Sequence, residues 1–261
     1  MLKESKRLEV HGHRGARAVL PENSLPAFEY AIAEGVDVLE LDMVVTRDDV
    51  VVVSHEPILI SPLHVGPRDR VAVRELTLAE LQAWDIGRSE GFPQQKGIAG
   101  TKIPTLDQVF QLAPQGAFRF NIETKITPDD PPGLTPPPED FVRMVLEAIR
   151  AHGLESRVIL QSFDFRTLRV MRRLAPEIEL SALTEESKRS FVEICAEAGA
   201  GTVSPWSQLV TAKKVREAHE AGLRVIPWTP NTPAEWAAMI AAGVDGVITD
   251  DPAGLIAHLQ R

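Results

Sequence analysis

Two histidines and three carboxylates fall in or just after short β-rich runs. His13 lies in Val10-His11-Gly12-His13-Arg14-Gly15, Glu40 and Asp42 in Val38-Leu39-Glu40-Leu41-Asp42, His55 after Val53-Ser54, and Glu123 in Phe120-Asn121-Ile122-Glu123-Thr124-Lys125. Side chains alternate between faces along a strand, so Glu40 and Asp42 project together, as do Glu123 and Lys125. Burying carboxylates side by side is costly unless a cation neutralises them, and an all-oxygen set suits a hard ion such as Mg²⁺ or Ca²⁺ better than Zn²⁺. Histidine exchanges protons near neutral pH. Together these residue types compose a metal-assisted hydrolytic site.

Each group also has a plainer reading. A lone strand-end histidine is usually a hydrogen-bonded structural residue, and carboxylates at i and i+2 are often salt-bridged groups on an exposed edge strand. The neighbours Val36, Val38, Leu39 and Leu41 argue instead for a buried strand.

The elements that carry these groups follow from period and punctuation. Short β-branched runs alternate with amphipathic helical patterns, which argues for parallel strands with helical crossovers. Strands are expected near 8–13, 37–43 with continuation at 50–54, 117–123, 156–162, 177–182, 201–204, 223–228 and 244–248, each followed by a helix. Eight such units close most naturally into an α/β fold, a (β/α)8 TIM barrel. An open doubly wound sheet is the alternative, but the glycine-rich first turn of a dinucleotide site is absent. Asn23 or Ser24 can cap the helix through Phe28 and Ile32, which Gly35 ends. Asn231-Thr232-Pro233 starts a helix that Gly243 stops, and Asp251-Pro252 opens the final one.

Two segments break the rhythm. Residues 57–103 are too long for an ordinary strand-to-helix connection and are expected to form a small inserted subdomain after the second strand, within one domain spanning 1–261. A capped helix is expected over Leu76–Leu81, loop over 87–100, and Thr105 as the cap where the barrel resumes. Residues 127–138 contain six prolines and a glycine, which exclude regular helix or strand. This segment reads as a stiff surface loop or a substrate-selecting lid over the Glu123 strand.

A length of 261 residues with 44% hydrophobic content supports a large core, and barrels of this kind commonly occupy that length as one domain. A net charge of -9 and a pI near 5.3 provide no broad basic surface for nucleic acid or anionic lipid. Cys195 is the single cysteine, which excludes an internal disulfide, and Phe191, Val192 and Ile194 around it suggest a packed helix face. The charged start, Met1 to Arg7, lacks the apolar run of a secretory signal, and no stretch is long and apolar enough to span a bilayer. A cytoplasmic location without integral membrane association is the expectation.

His13-Arg14-Gly15, Pro21-Glu22-Asn23-Ser24, Glu40-Leu41-Asp42, His55, Asn121-Ile122-Glu123-Thr124-Lys125 and the closing Gly243-Val244-Asp245-Gly246-Val247-Ile248-Thr249-Asp250 together resemble the glycerophosphodiester phosphodiesterase family. The likeness covers nearly the whole chain and includes the family's insertion between the second strand and second helix. It implies a barrel with active-site groups at the carboxyl ends of the strands. It also implies Glu40, Asp42 and Glu123 as ligands of one divalent cation, His13 and His55 as the proton-transfer pair, and Arg14 on phosphate. One histidine would activate water or the glycerol 2-hydroxyl while the other protonates the leaving oxygen. Lys125 would contact phosphate or balance the carboxylates, and Asn23 would orient a ligand or cap its helix. The likeness places Trp228 at the mouth of the site, against substrate carbon or in the core. Trp206 and Phe163 have similar strand-end settings.

Two positions depart from the family. His11 stands where an apolar residue is usual and is read as a barrel-interior residue with a satisfied ring. Glu56 follows the second histidine, where aspartate is common. His64, His152, His219 and His258 are expected away from the site. The implied reaction is metal-dependent hydrolysis of a small glycerophosphodiester to sn-glycerol 3-phosphate and an alcohol. The competing readings are a lysophospholipase D-type lipid phosphodiesterase and a noncatalytic glycerophosphodiester-binding barrel.

Overall fold

In a computed structural model the described residues are 7–61, 63–88 and 91–260. Most of the charged start, Met1 to Lys6, lies outside them. The chain runs β1 (Glu9–Gly12), α1 (Leu25–Glu34), β2 (Val38–Val45), β3 (Val51–Val53), β4 (Ile58–Ile60), β5 (Arg70–Ala72), α2 (Leu78–Leu81), α3 (Leu106–Phe110), β6 (Arg119–Thr124), α4 (Pro138–Ala151), β7 (Val158–Ser162), α5 (Phe165–Leu174), β8 (Glu179–Thr184), α6 (Phe191–Ala198), β9 (Thr202–Pro205), α7 (Ala212–Glu220), β10 (Arg224–Val225), α8 (Pro233–Ala242), β11 (Gly246–Thr249) and α9 (Pro252–Leu259).

Eight of these strands pair in parallel in the order β10-β9-β8-β7-β6-β2-β1-β11. The seam between β10 and β11 closes through the Asp245 N–H on the Val225 carbonyl and the Ile248 N–H on the Pro227 carbonyl, both 2.9 Å. That closure makes a TIM barrel and excludes the open sheet. The seventh strand, expected over 223–228, is regular only at Arg224–Val225. Its seam-side donors are spent otherwise: the Val225 N–H goes to Asp245 Oδ2 at 2.8 Å, and Pro227 has no N–H. The stretch still follows β9, because the Ile226 and Trp228 N–H groups reach the Val203 and Pro205 carbonyls.

The expected continuation at 50–54 is a separate strand, β3, returning antiparallel to β2 with Val45 opposite Val51. Asp49 turns the chain with φ 61. Residues 57–103 add the β4–β5 hairpin and α2, whose Thr77–Glu80 capping box matches the expected cap. They bury Leu59, Val71, Leu81, Trp84 and Ile103 against Val44 and Val52 of the β2–β3 ribbon.

The large core is the annulus between sheet and helices. Outward residues such as Leu39, Leu41, Met43, Phe120, Ile122, Leu160 and Val203 pack there against Phe28, Val145, Leu168 and Ile194. Ser24 caps α1 and Gly35 ends it at φ 87. Cys195 is buried on α6, where desolvation pushes its thiol up to about 12. No helix among the described residues is long and apolar enough to cross a membrane.

Inward-facing residues are largely polar. At the amino ends of the strands Glu9 pairs with Arg224 and Arg119 with Glu179, each at 2.7 Å. Above Glu9 sits His11, fully buried, with Nε2 3.4 Å from Glu9 Oε2. The expectation of a satisfied ring is corrected here, since Nδ1 has no hydrogen-bond partner among the described residues. Gly246 lets β11 lie close against β1, because a Cβ there would stand 3.0 Å from the Glu9 Cβ and carbonyl oxygen.

Candidate active site

The carboxyl ends of the strands bring the expected groups together. Glu40 and Asp42 project inward from β2 and Glu123 from the adjacent β6, with Asp42 in register with Glu123. All three are buried, and one oxygen of each lies within 4.8 Å of the others. Burial and the two neighbouring carboxylates push Glu40 well above its ordinary range. Burial also raises Glu123, against the pull of Lys125. For Asp42 burial acts the same way, but Arg14, Lys125, His55 and the Asn23 hydrogen bond outweigh it and hold the carboxyl low. Two carboxylates driven toward protonation beside a third that stays charged is the signature of a site short of positive charge. A hard divalent cation fits that all-oxygen donor set.

The cations and dipoles around the triad are fixed by local folding. In the His13-Arg14-Gly15 turn, Arg14 takes φ 48 and Gly15 φ 87. A Cβ on Gly15 would come within 2.7 Å of the Ala27 backbone, so the turn lies flat on α1 only with glycine there. This turn aims the Arg14 N–H at Glu40 Oε2, 2.9 Å away, while the guanidinium pairs with Asp42 at 3.1 Å and Glu22 at 2.7 Å. Lys125 Nζ lies 2.9 Å from Glu123 and 3.8 Å from Asp42. Burial works against both cations, yet the surrounding carboxylates raise their pKa values and keep them charged.

Asn23 has a different task from capping. It takes φ 54, donates Nδ2 to Asp42 Oδ2 at 2.9 Å, and accepts the Asp42 N–H on Oδ1 at 3.2 Å. Both ends of its amide therefore grip one carboxylate residue, and it stands outside the main cavity. Glu40 has a comparable support in Gln161, whose Nε2 donates at 2.7 Å and whose Oε1 accepts from Asn121 Nδ2 at 2.9 Å.

The two histidines flank this cluster. His13 has Nε2 3.9 Å from Glu40 and Nδ1 2.5 Å from Asp250 Oδ1. Burial and Arg14 lower its pKa despite Asp250. His55, in the loop after β3, has Nδ1 2.7 Å from Glu56 Oε1, so the glutamate that departs from the family pattern still reaches the ring. A cavity of about 240 Å³ is lined by His13, Arg14, Glu40, His55, Glu123 and Lys125, with Phe163, Leu183, Trp228 and Ile248 as its apolar wall. Trp228 is anchored by Nε1 on the Ser204 carbonyl at 3.0 Å, and Phe163 meets its ring edge-on at 5.6 Å. Trp206 is exposed and does not line this cavity. Thr127 and Asp130 of the proline-rich segment line a second cavity of about 500 Å³ that shares His55, Glu123, Lys125 and Phe163.

His64 is closer than expected. It lines a small cavity with His55, Glu22 and Asn23, and its Nδ1 accepts the Ile60 N–H. His152 and His219 pair with Asp107 and Asp245, and His258 lies against Trp236. Gln161, Asp250 and Asn231 support the candidate site through hydrogen bonds that sequence reasoning missed: Asp250 stood only as the end of a motif and Asn231 only as a helix start.

Residues 13–254 match the glycerophosphoryl diester phosphodiesterase family. The chain belongs to that family. It is accordingly a phosphoric diester hydrolase. A glycerophosphodiester phosphodiesterase of Caldanaerobacter subterraneus is 31% identical over 257 residues, covering 97% of this chain and 98% of the relative. A Silicibacter pomeroyi crystal structure described under the same family name superposes with a TM-score of 0.91 at 33% identity, covering 98% and 94%. An Oleispira antarctica phosphodiesterase, solved in complex with the product sn-glycerol-3-phosphate, shares the fold at a TM-score of 0.83 and 23% identity, covering 97% of each chain.

Proposed function

We propose that this family member hydrolyses small glycerophosphodiesters to sn-glycerol 3-phosphate and an alcohol, using His13 and His55 for proton transfer and Mg²⁺ or Ca²⁺ on Glu40, Asp42 and Glu123. The observation that carries this reading is the convergence of Glu40, Glu123, Arg14, Lys125 and both histidines on one cavity, with the Asp42 carboxylate buried beside the two glutamates. When bound, the cation would supply charge neutralisation at the phosphoryl oxygens. Arg14 and Lys125 present the remaining cationic donors to a diester, and neither changes protonation while doing so. Of the two imidazoles, the neutral one takes the proton of the attacking group, either water directly or the glycerol 2-hydroxyl with water then opening the cyclic phosphate, and the charged one protonates the leaving oxygen. Phe163, Leu183 and Trp228 offer apolar contact to the substrate's carbon atoms.

The test incubates metal-stripped protein with glycerophosphocholine, glycerophosphoethanolamine and lysophosphatidylcholine, restoring Mg²⁺, Ca²⁺ or Mn²⁺ separately, with His13→Ala as control. Metal-dependent release of glycerol 3-phosphate that vanishes in the variant is the expected result. Turnover of the lysolipid alone supports the second reading, a lysophospholipase D-type enzyme, which is favoured by the adjoining 500 Å³ cavity with Pro57, Ile126 and Phe163 in its wall. Silence on all substrates refutes both.

A further inference from the structure

We propose that Asn231 and Asp250 form a positioning relay that locks His13 in the tautomer with its proton on Nδ1, leaving the Nε2 lone pair for the reaction. The inference rests on the function proposed above only for its catalytic consequence; the relay itself follows from donor and acceptor chemistry. Asn231 Oδ1 receives the Asp250 backbone N–H at 2.9 Å and the Thr249 hydroxyl at 3.1 Å. A backbone N–H can only donate, which identifies that end of the amide as oxygen and the other as NH₂. That NH₂ donates to Asp250 Oδ2 at 2.7 Å. An ionised carboxylate is an acceptor only, so Asp250 Oδ1, 2.5 Å from His13 Nδ1, requires a proton on that nitrogen.

Each member is held by the fold. Asp250 is 4% exposed and follows β11, with its carbonyl taken by the Ala18 N–H at 3.0 Å. The Asn231 N–H donates to Glu235 Oε2 at 2.9 Å, and the same carboxylate closes the Thr232 capping box of α8. The His13 N–H is bound to the Thr249 carbonyl at 2.9 Å. Asp251, not Asp250, caps α9, so Asp250 has no capping duty of its own.

Asp250→Asn gives a determinate outcome. Asn231 keeps donating to one branch of the new amide, so that branch must be oxygen and the NH₂ faces His13. His13 Nδ1 then has to accept, and its proton moves to Nε2. In a serine hydrolase the equivalent aspartate-to-asparagine change lowers kcat about 10⁴-fold through the wrong tautomer. Here a loss of about 10²- to 10⁴-fold in kcat is expected, with little change in KM. The readout specific to positioning is the ¹⁵N spectrum of His13 in the full chain at about pH 8, where the ring is neutral. The wild type should show the proton on Nδ1 and the variant on Nε2, while Mn²⁺ affinity is unchanged. A wild-type spectrum with the proton on Nε2 overturns the relay even if the variant does not fold, and so does an Asp250→Asn enzyme with wild-type kcat. If the tautomers switch as stated but no diester is hydrolysed, the relay stands and the function proposed above falls.

Discussion

Glu40→Gln should make the metal-free protein more stable while weakening its response to metal. Glu40 is 2% exposed and shares its site with Asp42 and Glu123, whose oxygens lie within 4.8 Å. At an effective dielectric constant near 20, one such like-charge pair costs about 3.5 kcal/mol. Arg14 and Lys125 offset part of this. Protonation sets a ceiling: at pH 7.5, about three units above the ordinary glutamate value, an ionised Glu40 cannot cost more than about 4 kcal/mol. The new amide is accommodated by a concerted flip. Its oxygen would accept the Arg14 N–H and its NH₂ would turn to Gln161, which would then donate to Asn121 Oδ1, an atom that now lacks a partner. A net gain of about 1–3 kcal/mol follows, or about 2–6 °C in Tm for a chain of this size. The size of the gain depends on pH. Because the folded state raises the Glu40 pKa, its favourable contribution is present below the unfolded value and is lost as pH rises above it. The variant's advantage is therefore small at pH 4 and full at pH 7.5. A divalent cation at a hundredfold excess over Kd should return about 2.7 kcal/mol to the wild type and less to the variant. Calorimetry with chelator, then with Mg²⁺ or Ca²⁺, measures both. Equal destabilisation at pH 4 and pH 7.5, or equal metal stabilisation of the two proteins, would refute the reasoning.

Asn23→Gly keeps the left-handed backbone but removes both hydrogen bonds to Asp42, and should weaken divalent-cation binding about tenfold in a calorimetric titration. His11→Met removes a buried ring with an orphan nitrogen. Burial lowers the His11 pKa, so the wild type loses up to about 1.4 kcal/mol per unit as pH falls below 6.5, and the Tm difference between variant and wild type should grow from pH 7 to 5.5. Cys195 should be inert to a disulfide reagent at pH 8 in the native protein and react fully after denaturation.

What could be read from the chain was local. Ser24, Thr105, Thr232 and Asp251 cap the helices they precede, and Gly35 and Gly243 end theirs, because capping is decided within a few residues. Strand alternation placed Glu40 beside Asp42 and Glu123 beside Lys125. The β4–β5 hairpin escaped notice because Ile58–Ile60 and Arg70–Ala72 are too short to show a period. The seventh strand was overextended because apolar pattern ignores the donor that Pro227 lacks. Supports of the site were invisible for another reason. Gln161 meets Glu40 across 121 residues and Asp250 meets His13 across 237, and side-chain type alone does not tell a strand-end amide which carboxylate it will serve.

The lumen explains why the site needs those distant supports. Alternating apolar and polar residues along a strand usually mean one face in water. In this barrel the apolar face packs on helices, and the polar face is turned into a closed interior where water cannot freely solvate it. Neutral dipoles must do the solvating: Asn121 and Gln161 lie beneath Glu40, and Ser181 and Ser204 bond to each other at 2.8 Å. Amides can stabilise a buried carboxylate without adding a fixed cation that would compete with a metal. Apolar residues at 121 and 161 would leave Glu40 without its 2.7 Å donor and drive it further toward the protonated form, which is a poorer metal ligand. The polar lumen is therefore part of the electrostatic design of the acidic site above it, and not a surplus of hydrophilic residues in a core.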